Sequence, residues 1–204
     1  MVIILPLGAT VNEYLQWVVD SSKNLILSCP VCPGKRLHRH DQYRRSAVTR
    51  EVVYQVPVHR WICPECGQTL SVLPDFLVPY AQFVNSLREQ AVRLVLKGQT
   101  LAEVALKVSS PAVSVVSTRT IRRWVARAQK QAGALSSWLA ALLLTLVPQL
   151  DLFALIPRRP GPRADLHFLL DLGSWWCQLV AQPANAHPGL FAALSRCRDT
   201  PGLL

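Results

Sequence analysis

Carboxylates are scarce in this sequence: 12 Asp+Glu stand against 22 Lys+Arg in 204 residues, a formal charge of +10. No close set of acids stands out, so the paired carboxylates that two-metal phosphoryl chemistry requires are missing from the pattern. A Gly-rich phosphate loop and a Ser/His/Asp set are missing as well, and the residues do not predict an enzyme. Uninterrupted long apolar runs are lacking too. The most apolar stretch, residues 138–156, is broken by Pro148, Gln149 and Asp151. A mid-span Asp alone costs about 2.5–3.5 kcal/mol on insertion scales, so no membrane partner is expected. Residues 1–7 are apolar but have no basic flank and no small-residue cleavage site, so no secretory leader is expected. The six cysteines then point to a reducing, cytoplasmic setting, not to a secreted disulfide scaffold.

What the chain does have is two cysteine pairs, Cys29-Pro30-Val31-Cys32 and Cys63-Pro64-Glu65-Cys66, the second followed by Gly67. Two thiols two residues apart on a tight turn face one point, and two such turns supply four sulfurs for a tetrahedral Zn²⁺. The competing readings are four buried or disulfide-bonded cysteines and a redox pair. The redox pair is disfavoured because no βαβ pattern surrounds either turn. Cys177 and Cys197 lack ligand spacing and read as ordinary thiols.

The residues between the pairs read as strands. Over residues 52–62 the even positions Val52, Tyr54, Val56, Val58 and Ile62 are apolar and only Arg60 breaks the row, the period of a half-buried strand. Residues 37–50 alternate less cleanly and carry His38, Arg39, His40, Arg44, Arg45 and Arg50. A basic hairpin standing on a metal knuckle describes a zinc ribbon. His38, His40 and His59 read as solvent-facing or phosphate-facing, since four thiols already complete a ligand set. A ribbon this small buries little apolar surface, so the metal would contribute folding free energy directly.

Ahead of the ribbon, residues 2–5 suggest a short strand and residues 12–19 a helix, with Asn12 as cap and Tyr14, Leu15, Val18 and Val19 on one side. After it, residues 73–80 hold Pro74 and Pro79 and read as a stiff extended connector. From Val84 the period becomes helical. Val84, Leu87, Ala91, Leu94 and Val95 share a face and Gly98 ends the helix. Thr100-Leu101-Ala102-Glu103 matches a capping box, opening a second helix that buries Leu101, Val104, Ala105 and Val108. A third helix starts near Thr118, with Ile121, Trp124, Val125 and Ala128 on one stripe and Arg119, Arg122, Arg123, Arg127 and Lys130 opposite. Three helices of which the last is basic predict a helix-turn-helix, although residues 109–117 exceed its usual short turn. The competing reading of the basic stripe is a solvated face.

In the last third, residues 135–146 predict an apolar helix ended by Pro148, residues 157–162 with Arg158 and Arg159 a basic linker, and residues 166–180 a second apolar segment. That apolar surface suits packing on the earlier helix or on a second copy of the chain, as a homodimer. The basic excess lies upstream: residues 1–134 carry 17 Lys+Arg against 8 Asp+Glu, and residues 135–204 carry 5 against 4. A polyanionic partner would meet the first two thirds.

The run CPVC, RLHRH, YRR, the VP-containing strand, WICPECG and LPDFLVPY, followed by TIRRW, resembles an uncharacterised family of bacterial mobile-element proteins. Those proteins are in turn similar to the N-terminal zinc-ribbon and helix-turn-helix part of insertion-sequence transposases. The resemblance spans about residues 25–131. It implies binding to duplex DNA, with Cys29, Cys32, Cys63 and Cys66 matching the zinc ligands and Arg119, Arg122 and Arg123 at the start of the recognition helix. It carries no catalysis. Only 73 residues follow Gln131, too few for an RNase H-like domain, and their acids are Asp151, Asp165, Asp171 and Asp199.

The expectation is thus an α+β protein: an N-terminal segment (1–24), a four-cysteine zinc ribbon with a β-hairpin (25–80), a helix-turn-helix unit (81–134) and an apolar helical region (135–204). Its function would be DNA binding, with Arg127, Lys130, Arg39, Arg44 and Arg45 adding contacts. The alternative is a zinc-ribbon module that binds a protein or RNA partner.

Overall fold

The computed structural model describes residues 1–8, 10–20, 25–110, 114–156, 159–180 and 189–197, a mixed α+β architecture. The chain divides into two compact units, Met1–Ser86 with Phe191–Leu204, and Leu87–Leu190.

The first unit is built on a four-stranded sheet of β1 (Val2–Leu5), β2 (His38–Val48), β3 (Val53–Ile62) and β4 (Thr69–Pro74), in the order β1-β4-β3-β2. β2, β3 and β4 are antiparallel, and β1 pairs parallel to β4. At the tip of the hairpin, the Thr49 N–H donates to the Val52 carbonyl at 3.0 Å and its hydroxyl accepts from the Val52 N–H at 3.0 Å. Tyr54, Val56 and Val58 keep the expected alternation, and Val56 and Val58 are fully buried. Val52 departs from it, lying in the turn before the strand and exposed. The alternation also ends beyond Val58, because β3 is covered on both faces there: Val58 packs with Ile4 and Leu73, while His59 and Trp61 are buried on the other side.

Three expectations change in this unit. Residues 2–5 form a strand, as predicted, but as part of the same sheet as β2, β3 and β4, with Val2 opposite Ser71 and Leu5 opposite Pro74. In α1 (Val11–Asp20) the cap is Thr10, not Asn12: the Thr10 hydroxyl accepts the Glu13 N–H at 3.2 Å. The buried face runs from Val11 through Tyr14, whose hydroxyl donates to the Pro57 carbonyl at 2.6 Å, and this register leaves Val19 exposed. Residues 73–78 are core and not a connector. Leu73, Phe76 and Leu77 are buried, and Asn85 ties the segment down through its side-chain amide to the Asp75 carbonyl and its N–H to the Phe76 carbonyl, both at 2.7 Å. Pro74 is the last residue of β4, where a missing donor costs no ladder bond, so the prolines turn the chain instead of extending it.

Most of α2 (Asn85–Leu96) belongs to the second unit. It ends as predicted: Gly98 adopts φ 86° and gives its N–H to the Val95 carbonyl at 3.1 Å. The capping box of α3 (Leu101–Val108) is complete, since the Thr100 hydroxyl accepts the Glu103 N–H and the Glu103 carboxylate accepts the Thr100 N–H at 2.8 Å. In the connector, residues 111–113 lie outside the described residues. Ser110 and Ser114 on either side exchange two backbone hydrogen bonds of 3.1 and 2.8 Å.

α4 (Thr118–Leu146) starts where predicted, with the Ser117 hydroxyl accepting the Thr120 N–H at 3.2 Å, but it runs for 29 residues. The boundary expected at residue 134 and the separate helix over residues 135–146 are replaced by one continuous helix. Gly133 penalises a helix interior by only about 1 kcal/mol. The buried stripe of Ile121, Trp124, Val125, Ala132, Ser136, Leu139 and Leu143 passes straight through it and outweighs that cost. α5 (Leu152–Leu155) is a single turn, with the Asp151 carboxylate accepting the Ala154 N–H at 3.0 Å. α6 (Ala164–Val180) packs on α4 through buried Leu166, Leu169 and Leu172. Asp165 is exposed in its first turn, and Asp171 lies 3.7 Å from Arg159. Residues 157 and 158 of the expected linker, and Asp199, lie outside the described residues. No described helix is long and apolar enough to cross a membrane.

Candidate metal centre

Each cysteine pair sits on a turn whose backbone aims both thiols inward. In the first, the Cys29 N–H donates to the Lys35 carbonyl at 2.8 Å and the Lys35 N–H to the Cys32 carbonyl at 3.2 Å. The Cys29 sulfur accepts the N–H groups of Val31 and Cys32 at 3.4 and 3.3 Å. Gly34 supplies the left-handed residue that closes this turn, at φ 76°. The second turn repeats the plan. β3 delivers Cys63 directly after Ile62, the Cys63 N–H donates to the Gln68 carbonyl, and the Gly67 N–H returns to the Cys63 carbonyl, both at 3.0 Å. Lys35 and Glu65, one from each turn, form an ion pair at 2.8 Å. The pair bridges the two turns and was not anticipated, although Lys35 after one cysteine pair and Glu65 inside the other were its signal.

The four sulfurs of Cys29, Cys32, Cys63 and Cys66 all lie within 4.8 Å of one another, and the Cys29 and Cys66 sulfurs are 3.9 Å apart. Four thiolates bound at about 2.3 Å around a tetrahedral centre would sit about 3.8 Å apart, so the cluster needs little adjustment to hold an ion. All four thiols are free, which removes the disulfide reading. Their protons are unevenly held. The backbone N–H of Cys66 draws the Cys63 thiol down to about 7, whereas hydrogen bonding to the Cys66 side chain pushes Cys32 up to about 12. Four thiolates this close repel one another, and a bound cation is what would let all four ionise.

Among the described residues the cluster consists of these cysteines alone. His38 and His40 are exposed on β2, as expected. His59 is a correction: it is 2 % exposed, accepts a hydrogen bond from Arg39 Nη2 at 2.8 Å, and meets the Trp61 ring edge-on at 5.9 Å. Burial, with the Arg39 guanidinium beside it, holds the imidazole below its ordinary 6.5. The unfolded chain therefore binds the extra proton first, and stability should fall as pH drops below 6.5. His59→Gln removes that titration, so in denaturant titrations at matched zinc the wild-type protein should lose stability relative to the variant as pH falls below 6.5. Parallel curves across the range would mean that His59 does not titrate differently on folding.

The predicted basic residues divide into two groups. On β2, Arg44 is exposed, Arg39 lies against His59, and Arg45 is half-buried with its guanidinium donating to the carbonyls of Val78 and Ala81. The Arg45 guanidinium is thus engaged by two backbone carbonyls. On α4, Arg119, Arg122, Arg123, Arg127 and Lys130 are all exposed, and among the described residues none of them pairs with a carboxylate. Ile121, Trp124 and Val125 are buried opposite them, and the Arg88 guanidinium sits 5.9 Å from the Trp124 ring centre.

No curated protein and no solved structure matches the chain. Residues 29–124, from the first cysteine to the buried tryptophan of α4, match the family model described as a domain of unknown function (DUF6431).

Proposed function

We propose that this chain is a zinc-containing DNA-binding protein of mobile-element origin that reads duplex DNA through α2, α3 and α4 used as a helix-turn-helix. The observation that carries the reading is the face of α4: five exposed cations on its first turns, unpaired among the described residues, backed by a buried apolar stripe. Arg119, Arg122 and Arg123 occupy the N-terminal turns, from which a recognition helix presents side chains to base edges, and Arg127 and Lys130 follow toward the flanking phosphates. An all-sulfur set of four ligands suits Zn²⁺, and a site with four protein ligands is structural, since no coordination position is left open. The metal, when bound, clamps the two turns from which the β2–β3 hairpin rises, in the manner of a zinc ribbon. Arg44 on that hairpin adds a phosphate contact. Asp151 caps α5, Asp165 is exposed and Asp171 pairs with Arg159, roles that fit binding without strand cleavage.

A second reading draws on β2, an edge strand whose residues 38–44 are exposed and basic. It would bind RNA or an acidic protein surface through the ribbon. Titrating the zinc-loaded chain into random duplex and single-stranded RNA of equal length, over a salt series, decides between the two. The DNA reading predicts that duplex competes better, with log affinity falling by about 0.9 per phosphate contact for each unit of log salt. RNA outcompeting duplex at every salt concentration would favour the second reading.

A further inference from the structure

The turn over residues 78–81 holds its sequence against its preference. The Ala81 N–H donates to the Val78 carbonyl at 3.1 Å, with Pro79 and Tyr80 between them, and Tyr80 adopts φ 61°. A β-turn with proline second and a left-handed third residue normally takes Gly or Asn at that third position. Tyr80 is the one non-glycine residue with positive φ among the described residues. Packing of its ring could offset the strain, but the residue is 98 % exposed. The rest of the turn is firmly held. The Arg45 guanidinium donates to the carbonyls at both ends of it, Val78 is buried, and the Gln82 carbonyl beyond accepts the Val48 N–H at 2.8 Å. The protein thus keeps a large aromatic ring in solvent on a braced and strained support.

Beside that ring is an open cleft of about 540 Å³, within the range of ligand sites, lined by Tyr43, Arg44, Tyr80 and Gln82 with Val2 and Leu73 among the apolar contributions. Tyr43 is 39 % exposed, Arg44 has no carboxylate partner among the described residues, and no acid lines the cleft. Two phenol rings and a guanidinium complement a ligand that joins a flat π-face to an anion. We propose that this cleft takes one unpaired nucleotide of a DNA strand, its base stacked on Tyr80 and Tyr43 and its phosphate on Arg44. The proposal rests on the DNA-binding reading and adds a single-strand contact that duplex recognition by α4 does not contain.

The test uses the full-length, zinc-loaded chain with three probes: a 12-nucleotide oligothymidylate, an abasic strand of the same length, and a paired duplex. The wild-type protein should bind oligothymidylate more tightly than the abasic strand. Tyr80→Gly should weaken oligothymidylate binding roughly tenfold, the scale of one lost base–aromatic stack. It should leave the abasic strand and the duplex within about twofold and should not lower the melting temperature, because glycine accepts the left-handed conformation freely. Tyr80→Phe should retain oligothymidylate binding, and Arg44→Ala should weaken oligothymidylate and abasic strands alike. If Tyr80→Gly binds oligothymidylate as tightly as wild type, or loses all three probes equally, the stacking site is refuted while duplex reading by α4 stands. If the wild-type chain binds none of the probes, both proposals fall together.

Discussion

Cys63→Ser is expected to lower the zinc content from one ion per chain to almost none and to melt the cysteine end of the first unit. Cys63 is fully buried, anchors its turn through bonds to Gln68 and Gly67, and has a thiol drawn down to about 7. Three remaining ligands would leave an open and weaker site. Structural zinc contributes apparent binding free energies of about 10–16 kcal/mol in small zinc peptides at neutral pH, comparable to the whole stability of a domain. The helices of the second unit have their own buried stripe and should retain their circular-dichroism signal. Cys177→Ser, at a thiol without ligand spacing, should keep the metal. Full-length protein purified without chelator that contains no zinc, yet melts as cooperatively as a zinc-supplemented sample, would remove the metal from the account.

Substitutions on the two basic surfaces are expected to fail differently. Arg122→Ala or Arg123→Ala should cost roughly 1–3 kcal/mol on a preferred duplex if that guanidinium makes a bidentate guanine contact, and much less on random duplex. Both side chains are exposed, so neither change should disturb the fold. Arg44→Ala should weaken specific and random duplex about equally and flatten the salt slope by roughly one unit. Arg45→Ala should behave as a folding variant, because its guanidinium holds the carbonyls of Val78 and Ala81. Unchanged binding of both duplexes by folded Arg122→Ala and Arg123→Ala proteins would make the α4 stripe a solvated face.

What was legible in the sequence is what short-range chemistry encodes. The cysteine turns need only two-residue spacing and a following glycine, and both formed. The capping box at Thr100 and the glycine stop at Gly98 are likewise complete within a few residues. The start of α4 was readable from its apolar stripe, but its length was not, because the change from basic to apolar composition looked like a boundary. Long-range partners left no local trace. The pairing of Val2 with Ser71 joins the N-terminus to β4 across most of the first unit, and His59 is buried because β3 is covered on both faces. The backbone partners of Arg45 and the left-handed conformation of Tyr80 were not legible for a related reason. The turn that joins them contains no glycine, so its left-handed residue was invisible until the backbone was seen.

Selection from a random pool of duplexes by the zinc-loaded, full-length chain tests the central claim most directly. The account predicts enrichment of a short motif containing guanine, and loss of that enrichment, with retained folding, in an Arg122→Ala, Arg123→Ala double variant. A pool that stays random through successive rounds with folded, zinc-loaded protein would contradict it.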